Sequence, residues 1–378
     1  MFQIAGRRIG IGEPLFVVAE IGLNHDGSLE RALALVEEAA AAGAQAIKLQ
    51  TLYADRLVAA HCPAPQHVQA HSLRDLFAHF ELDEAAHATI ASRARQRGLA
   101  FMSTPFDEAS VAMLERLGCD AFKIASGDIT HHPLIARVAR TGKPMVMSTG
   151  MSKLNEVRDA IDCARAAGAQ HIALLHCVSS YPTPDDQQNL GAIRTLADAF
   201  GLTVGLSDHS SGASEQTITM AMALGARIYE RHIKGTTGGD AIDEAVSSNA
   251  AQLTATMAAA ERARKTFGHG RREPQPAERG NIDASRRALY ATRDLQPGET
   301  VTEADVIALR PGTGLSPAQH GRLVGSVLRR PIAAGEAFTQ ADCHVERRGN
   351  HRPWKQTESK QPAAMLSEAE REGKRGAA

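Results

Sequence analysis

Two short apolar runs in the middle of the chain each end in a histidine. The first run, 202–206, is followed by Ser207, Asp208 and His209, and the second, 227–233, has His232 near its end. A predicted helix, 214–224, separates them, and parallel strands joined by a helix bring their carboxyl ends to the same edge of a sheet. We therefore expect the two imidazoles to be neighbours that bind a divalent metal ion and leave positions open for substrate. Either histidine taken alone is more often a hydrogen-bonded structural residue.

Two lysines stand at the ends of other apolar runs. A buried ammonium group is costly unless an anion pairs with it, so Lys48 and Lys123 indicate a negatively charged substrate. Hydroxyl groups next to glycines or helix starts suit phosphate oxygens, and these are Ser126, Ser148, Thr149 and Ser207. The pattern predicts a small substrate with phosphate and carboxylate groups, for which Glu20 would act as an acid, a base or a hydroxyl ligand.

Two other functions remain open at this point. Lys48 or Lys123 could form a Schiff base in a metal-free aldolase, although the paired histidines would then have no role. A non-catalytic sugar-binding protein could keep the same fold, but it would not need Glu20, both lysines and both histidines. For any one of these residues, an interior polar group that only stabilises the fold is an equal alternative.

Eight apolar runs alternate with amphipathic helical stretches. The predicted strands are 16–21, 46–50, 100–103, 121–124, 144–148, 172–177, 203–207 and 227–233, and the helices between them include 28–42, 84–97, 108–117, 154–167, 191–200 and 216–224. Several helices are followed by glycine, the usual stop residue. This order predicts an α/β fold, a parallel (β/α)₈ barrel whose active site lies at the carboxyl ends of the strands. An open doubly wound sheet is the second choice, and no G-x-G-x-x-G motif supports it.

The composition argues against several classes of protein. Of 378 residues 43% are hydrophobic and the formal net charge is −1, so no global field attracts nucleic acid or acidic membranes. The five cysteines are scattered without a C-x-x-C spacing, which argues against a disulfide framework or a zinc ribbon. Residues 1–14 lack the features of a signal peptide, and no apolar run is long enough to span a membrane. We expect a cytoplasmic protein.

The chain divides by composition into four parts. Residues 1–264 form the predicted barrel domain, and 265–281, rich in glycine, proline and charge, form a linker. Residues 282–345 indicate a compact, turn-rich domain, and 346–378 a disordered tail. Within the barrel domain, 62–82 is too long for a tight loop and predicts a partly helical excursion over the barrel. His67 and His71 have a spacing there that could bind metal, but a surface helix is the simpler interpretation.

At these residues the chain resembles the sialic acid synthase family, the phosphoenolpyruvate-condensing nonulosonate synthases. The matching stretches of the barrel are Ala19-Glu-Ile-Gly-Leu-Asn-His-Asp-Gly27, Ile47-Lys-Leu-Gln-Thr51, Ser103-Thr-Pro-Phe106, Phe122-Lys-Ile-Ala-Ser-Gly-Asp128, Ser148-Thr-Gly-Met151, His176-Cys-Val-Ser-Ser-Tyr-Pro-Thr-Pro184, Gly205-Leu-Ser-Asp-His209 and Glu230-Arg-His232. Ser285-Arg-Arg-Ala-Leu289 and Arg310-Pro-Gly-Thr-Gly314 are similar to the family's antifreeze-like (SAF) domain. The resemblance runs over most of the chain, 10–345, in family order.

The resemblance implies a (β/α)₈ barrel followed by an SAF domain, in a domain-swapped homodimer whose small domain caps the partner's active site. It implies a transferase that joins phosphoenolpyruvate to an open-chain N-acetylmannosamine-type sugar, with water, to give a nine-carbon 2-keto acid and phosphate. His209 and His232 would bind a divalent metal ion, Mn²⁺ first and Mg²⁺ or Co²⁺ as alternatives, which polarises the sugar aldehyde.

The resemblance also assigns roles to the other site residues. Phosphoenolpyruvate would be held by Lys48, Thr104, Lys123, Ser126, Ser148 and Ser207. Glu20 would serve in acid–base work at the tetrahedral intermediate. The sugar would be contacted by Gln50, Tyr181 and Asp243, and Arg310 would reach its acyl group from the other subunit.

Departures from the family pattern concentrate in the sugar half of this set. Asp128 stands where the neuraminate enzymes usually have Glu, and Ser179 takes a position often occupied by Asn near the phosphate. The segment 239–247, which contains Asp243, replaces the family's Gly-Pro-Asp segment. We therefore expect the family reaction on a modified sugar, such as a 2,4-diacetamido-6-deoxy hexose, rather than on N-acetylmannosamine.

Overall fold

Eight parallel strands form a barrel in the first of two units of the chain. The computed structural model describes residues 2–63, 72–211, 214–235 and 242–344, and the two units are Met1–Gly270 and Arg271–Ala378. An antiparallel hairpin, β1 (Phe2–Ile4) and β2 (Arg7–Ile9), precedes the barrel. The barrel strands are β3 (Phe16–Gly22), β4 (Ala46–Thr51), β5 (Ala100–Pro105), β6 (Ala121–Ile124), β7 (Met145–Ser148), β8 (Ile172–Cys177), β9 (Thr203–Asp208) and β10 (Ile228–Ile233).

The strand pairing closes the sheet. Strands β3 to β10 pair in chain order, and β10 pairs with β3 as well as with β9. The predicted (β/α)₈ barrel is thereby confirmed, and the open doubly wound sheet is wrong. A short strand, β11 (Ser247–Ser248), pairs with the carboxyl end of β10.

Helices follow the barrel strands along the chain. They are α1 (Leu29–Ala41), α2 (Ala54–Leu57), α3 (Leu73–His79), α4 (Glu84–Gln96), α5 (Glu108–Arg116), α6 (His132–Ala139), α7 (Leu154–Ala166), α8 (Ala192–Phe200), α9 (Glu215–Ala223) and α10 (Ala250–Phe267). The side chains of Ser28, Asp83 and Asp107 cap α1, α4 and α5, where each accepts a backbone N–H from the first turn; such a cap is worth about 1 kcal/mol. Among the described helices, none is long and apolar enough to cross a membrane.

The barrel interior changes from apolar to polar along the strands. Strand side chains alternate between the interior and the helix layer, and Val18, Met102 and other interior residues near the strand starts pack with Phe2 and Ile4 of the hairpin. Two residues farther along, the same strand faces carry polar groups: Glu20, Lys48, Thr104, Lys123, Ser148 and Glu230. The apolar plug fills the amino end of the barrel, so the polar carboxyl end is where a substrate can bind.

The connection after β4 covers part of this carboxyl end. Leu23, Leu52 and Phe80 form a buried cluster, and the first two residues directly follow β3 and β4. The helix α3 of this connection agrees with the partly helical excursion predicted for 62–82. His67 and His71 lie outside the described residues.

The second unit has a small apolar core of its own. It is built from α11 (Arg279–Ser285), β12 (Ala288–Ala291), β13 (Val306–Leu309), α12 (His320–Leu323), β14 (Val327–Leu328) and β15 (Cys343–His344). Leu289, Leu295 and Phe338 are among its fully buried residues. The region predicted as a linker is more helical than expected, because α10 continues to Phe267 and a helical turn precedes α11. The predicted tail 346–378 lies outside the described residues.

Two segments of the second unit repeat the same hydrogen-bonding pattern. The Nε atom of Arg293 donates to Asp305 (2.8 Å), and Nε of Arg330 donates to Asp342 (2.6 Å). Each aspartate also accepts the backbone N–H of the threonine three residues before it, Thr302 or Thr339. The repeat was not predicted from the sequence, where only the spacing of Arg, Thr and Asp marks it.

Asp342→Asn should destabilise the second unit by roughly 1–3 kcal/mol, the usual cost of a lost hydrogen bond to a charged group. Burial alone would raise the pKa of Asp342, but Arg330 and the Thr339 hydrogen bonds hold that pKa below its ordinary value. The stabilisation in the wild type is therefore complete above a pH of about 4 and is lost as the pH falls through the lower folded-state pKa. Hydrogen exchange of the segment 288–342 measures both effects, and the exposed Glu303→Gln is the control. Exchange unchanged by Asp342→Asn at neutral pH would contradict this account.

Candidate active site

A chain of charged side chains crosses the carboxyl end of the barrel interior. The ammonium group of Lys48 lies 2.6 Å from Glu20 Oε2 and 3.2 Å from Thr104 Oγ1. Gln50 donates to the other oxygen of Glu20 at 3.0 Å. Because β3, β4 and β5 are adjacent and in register at these positions, the strand pairing itself brings the residues together.

Glu230 on β10 extends this chain to the second lysine. Its Oε1 atom lies 3.5 Å from Nζ of Lys123 and 4.0 Å from Nζ of Lys48, and it accepts a hydrogen bond from Ser207 at 3.0 Å. Its other oxygen is buried and has no hydrogen-bond partner among the described residues. The carboxylate therefore lies between the two lysines that were predicted to bind an anionic substrate.

The two carboxyl groups have pKa values shifted in opposite directions. Burial raises the pKa of Glu20, and Lys48 offsets this only in part. Burial would also raise the pKa of Glu230, but Lys123 and Lys48 together lower it overall. Two acids whose environments separate their pKa values suit different roles: Glu20 can exchange a proton, while Glu230 remains an anion.

The two lysines differ in the same way. Burial alone would lower the pKa of Lys48, but Glu20 and Glu230 raise it above its ordinary value. The pKa of Lys123 is lowered, because burial outweighs the attraction of Glu230. An incoming phosphate or carboxylate would supply Lys123 with the negative charge that it partly lacks.

A glycine and several hydroxyl groups form a patch at the carboxyl ends of β6, β7 and β8. The backbone N–H of Gly150 donates to Ser126 Oγ at 3.1 Å, and a Cβ atom at Gly150 would lie only 2.4 Å from Ser179 Oγ and 2.8 Å from Ser126 Oγ. The buried hydroxyl of Ser148 has no hydrogen-bond partner among the described residues. Backbone and hydroxyl donors that converge in this way suit the oxygens of a phosphate group.

Gly150→Ala should weaken binding of a phosphate-bearing substrate, because the new methyl group would displace the hydroxyls of Ser126 and Ser179. We expect the KM for that substrate to rise by roughly tenfold or more, the effect of losing one or two hydrogen bonds to a charged group. Gly127→Ala is the matched control, since a Cβ atom there meets nothing within 4 Å. A KM as low as that of the wild type would show that the patch does not hold the phosphate.

The two histidines are neighbours at the same rim, as the sequence predicted. Their ring centroids are 5.6 Å apart with an interplanar angle of 54°. The Nδ1 atom of His209 lies 3.0 Å from the backbone oxygen of Val178. A carbonyl only accepts, so Nδ1 carries a proton. Burial would lower the pKa of His209, but Cys177 and the Val178 carbonyl raise it overall, so Nε2 would have to release any proton it carries to bind a metal ion. Burial and the nearby His209 hold the pKa of His232 well below its usual range, so its ring is neutral.

This arrangement fits a divalent metal ion with two protein ligands. Neutral imidazoles are common ligands of such ions, and Nδ1 of His232 is buried without a hydrogen-bond partner among the described residues. Within the described residues, no group of three or more His, Cys, Asp or Glu side chains is placed to hold a metal ion. An ion bound by His209 and His232 would therefore complete its coordination with water or substrate.

Two predicted sugar contacts surround the histidine pair. The ring of Tyr181 stacks on His209 with centroids 4.1 Å apart, and it lies nearly perpendicular to the ring of His232 at a centroid distance of 6.1 Å. Oδ2 of Asp243 lies 3.3 Å from Nδ1 of His232, and burial raises the pKa of Asp243.

Two other residues assigned to the sugar half of the site lie elsewhere in the chain. Asp128 is in a single helical turn after β6. Burial raises its pKa overall, although His131, at 3.9 Å, acts in the opposite direction. Arg310 belongs to the second unit.

Sequence reasoning missed two residues of the site. Glu230 was given no role, although it precedes His232 by two positions in one strand and must share its face. Cys177 was treated only as a scattered thiol, yet its sulfur lies 3.6 Å from Nδ1 of His209. Both residues could have been found by extending the alternation of β8 and β10 to the strand ends.

Comparisons with known proteins place these residues in a family context. A model of the NeuB family matches residues 35–272, and a model of the SAF domain matches residues 286–343. An N,N'-diacetyllegionaminic acid synthase of Legionella pneumophila is 35% identical, over 85% of this chain and 92% of that protein. A pseudaminic acid synthase of Campylobacter jejuni is 32% identical, over 87% and 96%. A solved structure, a putative spore coat polysaccharide biosynthesis protein E from Chromobacterium violaceum, superposes with a TM-score of 0.78 at 28% identity, over 87% of this chain and 99% of that chain.

Proposed function

Because the chain belongs to the NeuB family of phosphoenolpyruvate-dependent nonulosonic acid synthases, we propose that it condenses phosphoenolpyruvate with an open-chain acylamino hexose. Water takes part, and the products are a nine-carbon 2-keto acid sugar and phosphate. The observation that carries the proposal is the acid–lysine chain of Glu20, Lys48, Glu230 and Lys123 at the carboxyl end of the barrel, the end at which the hydroxyl patch at Gly150 also lies. Cations and phosphate donors of this kind suit a substrate with both a carboxylate and a phosphate.

In this proposal Lys48, Lys123 and the hydroxyl patch orient phosphoenolpyruvate with its C3 carbon toward the sugar aldehyde. A bond forms between C3 and the aldehyde carbon, whose oxygen becomes an alkoxide, and water then adds to C2. The bond between C2 and the bridging phosphate oxygen breaks as the keto group forms, and the phosphate leaves with that oxygen. Of the two protons that water gives up, one goes to the alkoxide and one to the departing phosphate. Preorganised charges that hold both reactants in this geometry account for much of such a catalytic effect.

Glu20 is the group we assign to proton transfer at C2. A carboxyl group with a raised pKa can take a proton from water and return it to a leaving oxygen. Lys48, at 2.6 Å, keeps Glu20 in place, and Glu230 keeps both lysines charged enough to bind the substrate. A divalent ion bound by His209 and His232, for which Mn²⁺ is our first choice, would polarise the sugar aldehyde. We assign Tyr181 and Asp243, which contact these histidines, to the sugar.

For the sugar itself we propose a 2,4-diacetamido-6-deoxy hexose rather than N-acetylmannosamine. One relative is named for a product with two acetyl groups, and Asp128 stands where the neuraminate enzymes usually have Glu. The shorter carboxylate of Asp128 leaves room for a bulkier substituent than glutamate would.

The test is phosphate release from phosphoenolpyruvate with Mn²⁺ and a panel of acylamino hexoses. Release that requires one diacetamido sugar and is absent with N-acetylmannosamine would support the full proposal. Activity confined to N-acetylmannosamine would overturn the sugar assignment but keep the synthase.

A Schiff-base aldolase is the second candidate because of the lowered pKa of Lys123. No phosphate release, together with borohydride trapping of a keto acid on Lys123, would favour it.

We also propose the domain-swapped homodimer in which Arg310 binds the acyl group of the partner's sugar. On that basis Arg310→Ala should raise the KM for the sugar by roughly tenfold or more, the value of a charge-assisted hydrogen bond, while the KM for phosphoenolpyruvate stays the same. Arg322→Ala, another exposed arginine of the second unit, is the control. Light scattering gives the oligomeric state, and a monomer that is fully active would reject this part of the proposal.

A further inference from the structure

A buried ion pair lies directly behind the two histidines, on the outer side of the barrel strands. In the β9–β10 ladder Asp208 is paired with Arg231, so each of them precedes one histidine in the chain. Nη1 of Arg231 is 3.4 Å from Oδ1 of Asp208, and their side chains are 1% and 2% exposed. Strand alternation directs Glu230 and His232 into the barrel and Arg231 away from it. The ion pair therefore does not touch a substrate in the interior.

Arg231 fixes the backbone on both sides of His209. Its Nη1 atom donates to the carbonyl oxygen of Asp208 at 3.2 Å and to that of Ser210 at 2.8 Å. The carbonyl oxygen of His209, between them, accepts the backbone N–H of Thr183 at 2.8 Å. Three consecutive carbonyl groups at His209 are thus held by hydrogen bonds, which limits how far the imidazole can move.

The same guanidinium also contacts the segment that faces His232. Its Nε atom donates to Ser248 Oγ on β11 at 3.1 Å. Beside it, Ser247 donates to the backbone oxygen of Asp243 at 2.6 Å, and the carboxylate of Asp243 is the one 3.3 Å from His232. One side chain outside the barrel therefore links the ends of β9, β10 and β11, on which the metal-site residues stand.

We propose that Arg231 is a positioning residue that sets the distance and orientation of His209 and His232 for a divalent ion. A buried ion pair adds little stability compared with apolar packing. Its presence here is better explained by the way it fixes the positions of His209 and His232. Outer contacts that orient metal ligands are typically worth 10- to 100-fold in metal affinity. The inference rests on the metal role assigned to the two histidines under the proposed function.

The test compares variants of the full-length protein that disturb the network in different places. Arg231→Lys keeps the positive charge, but one ammonium group cannot span two carbonyls and Ser248. Ser248→Ala removes only the contact to β11 and is the milder variant in case Arg231→Lys folds poorly. Tyr229→Phe is the matched control, because it removes a buried hydrogen bond to Asp208 Oδ2 (2.8 Å) and leaves the contacts of Arg231 intact.

Binding of Mn²⁺ alone is measured by electron paramagnetic resonance, and binding of phosphoenolpyruvate by calorimetry. We expect Arg231→Lys to raise the Kd for Mn²⁺ by roughly 10- to 100-fold, Ser248→Ala to raise it less, and Tyr229→Phe to leave it unchanged at a similar thermal stability. The Kd for phosphoenolpyruvate should stay the same in all three.

Three results would overturn the inference. Arg231→Lys and Ser248→Ala that bind Mn²⁺ like the wild type would remove the positioning role alone. A loss of Mn²⁺ affinity in Tyr229→Phe equal to that in Arg231→Lys would show that general destabilisation is the cause. A wild-type protein that binds no Mn²⁺ would reject the metal role of the histidines, and the inference with it.

Discussion

Replacing His209 and His232 together with alanine is expected to lower turnover by roughly a thousandfold or more while the barrel remains folded. A bound divalent ion supplies several kcal/mol of stabilisation to a developing alkoxide, and each 1.36 kcal/mol is about a tenfold change in rate. The two rings lie at the polar rim, where their contacts include Tyr181, Asp243, Cys177 and the backbone of Val178. Their removal therefore opens no cavity in the apolar core.

The measurement is phosphate release as a function of Mn²⁺ concentration, with circular dichroism as the check on folding. His171→Ala is the control, because His171 stands at the start of β8, at the opposite end of the barrel. The double variant should also retain no Mn²⁺ after gel filtration. Turnover and metal content like those of the wild type would remove the two histidines from the metal site.

The barrel could be predicted from the sequence because each of its strands is a separate apolar run. Pairing within a parallel sheet follows chain order here, so the positions of Glu20, Lys48 and Thr104 on adjacent strands followed once the runs were identified. The same reasoning brought His209 and His232 together. These inferences need only the direction of the strands and the order in which they pair.

What strand ends alone do not give is the face on which each side chain lies. Asp208 stands between Ser207 and His209, yet it points away from the site and binds Tyr229. His176 likewise turns outward, where its ring contacts the backbone of Gln188. For Glu230 the error is the opposite one: it was given no role from the sequence, although it lies in the site and contacts both lysines. Strict alternation from a known interior residue would have sorted all of them.

Other features depend on tertiary contacts that no local pattern encodes. The patch at Gly150 exists because the hydroxyls of Ser126 and Ser179, from the ends of other strands, approach the position that a Cβ atom would occupy there. The stacking of Tyr181 on His209 depends on how the loop after β8 folds back over the rim. In the second unit, the repeated Arg–Asp contacts join residues that only the folded chain brings within reach.

Glu20→Gln should separate catalysis from substrate binding. Glutamine keeps the shape of the side chain and its hydrogen bond with Gln50, but it cannot exchange a proton. We expect kcat to fall by roughly 10²- to 10⁴-fold, the usual contribution of a general acid–base group. The KM for phosphoenolpyruvate should not rise, because the change removes a negative charge 2.6 Å from Lys48, in the pocket that we propose for a trianionic substrate.

Lys48→Gln gives the opposite pattern and serves as the comparison. It removes the cation that pairs with Glu20, so the KM for phosphoenolpyruvate should rise along with the loss in kcat. Both variants leave the apolar plug at the amino end of the barrel untouched, and hydrogen exchange of β3 and β4 checks that the strands stay paired.

If Glu20→Gln raised the KM for phosphoenolpyruvate and changed kcat only slightly, Glu20 would serve to hold Lys48. The proton transfer at C2 would then have to use another group. Glu230 is the carboxylate next in reach of both lysines, but those lysines lower its pKa. It is therefore the poorer proton carrier, and a kcat effect larger for Glu20→Gln than for Glu230→Gln is the result that the opposite pKa shifts require.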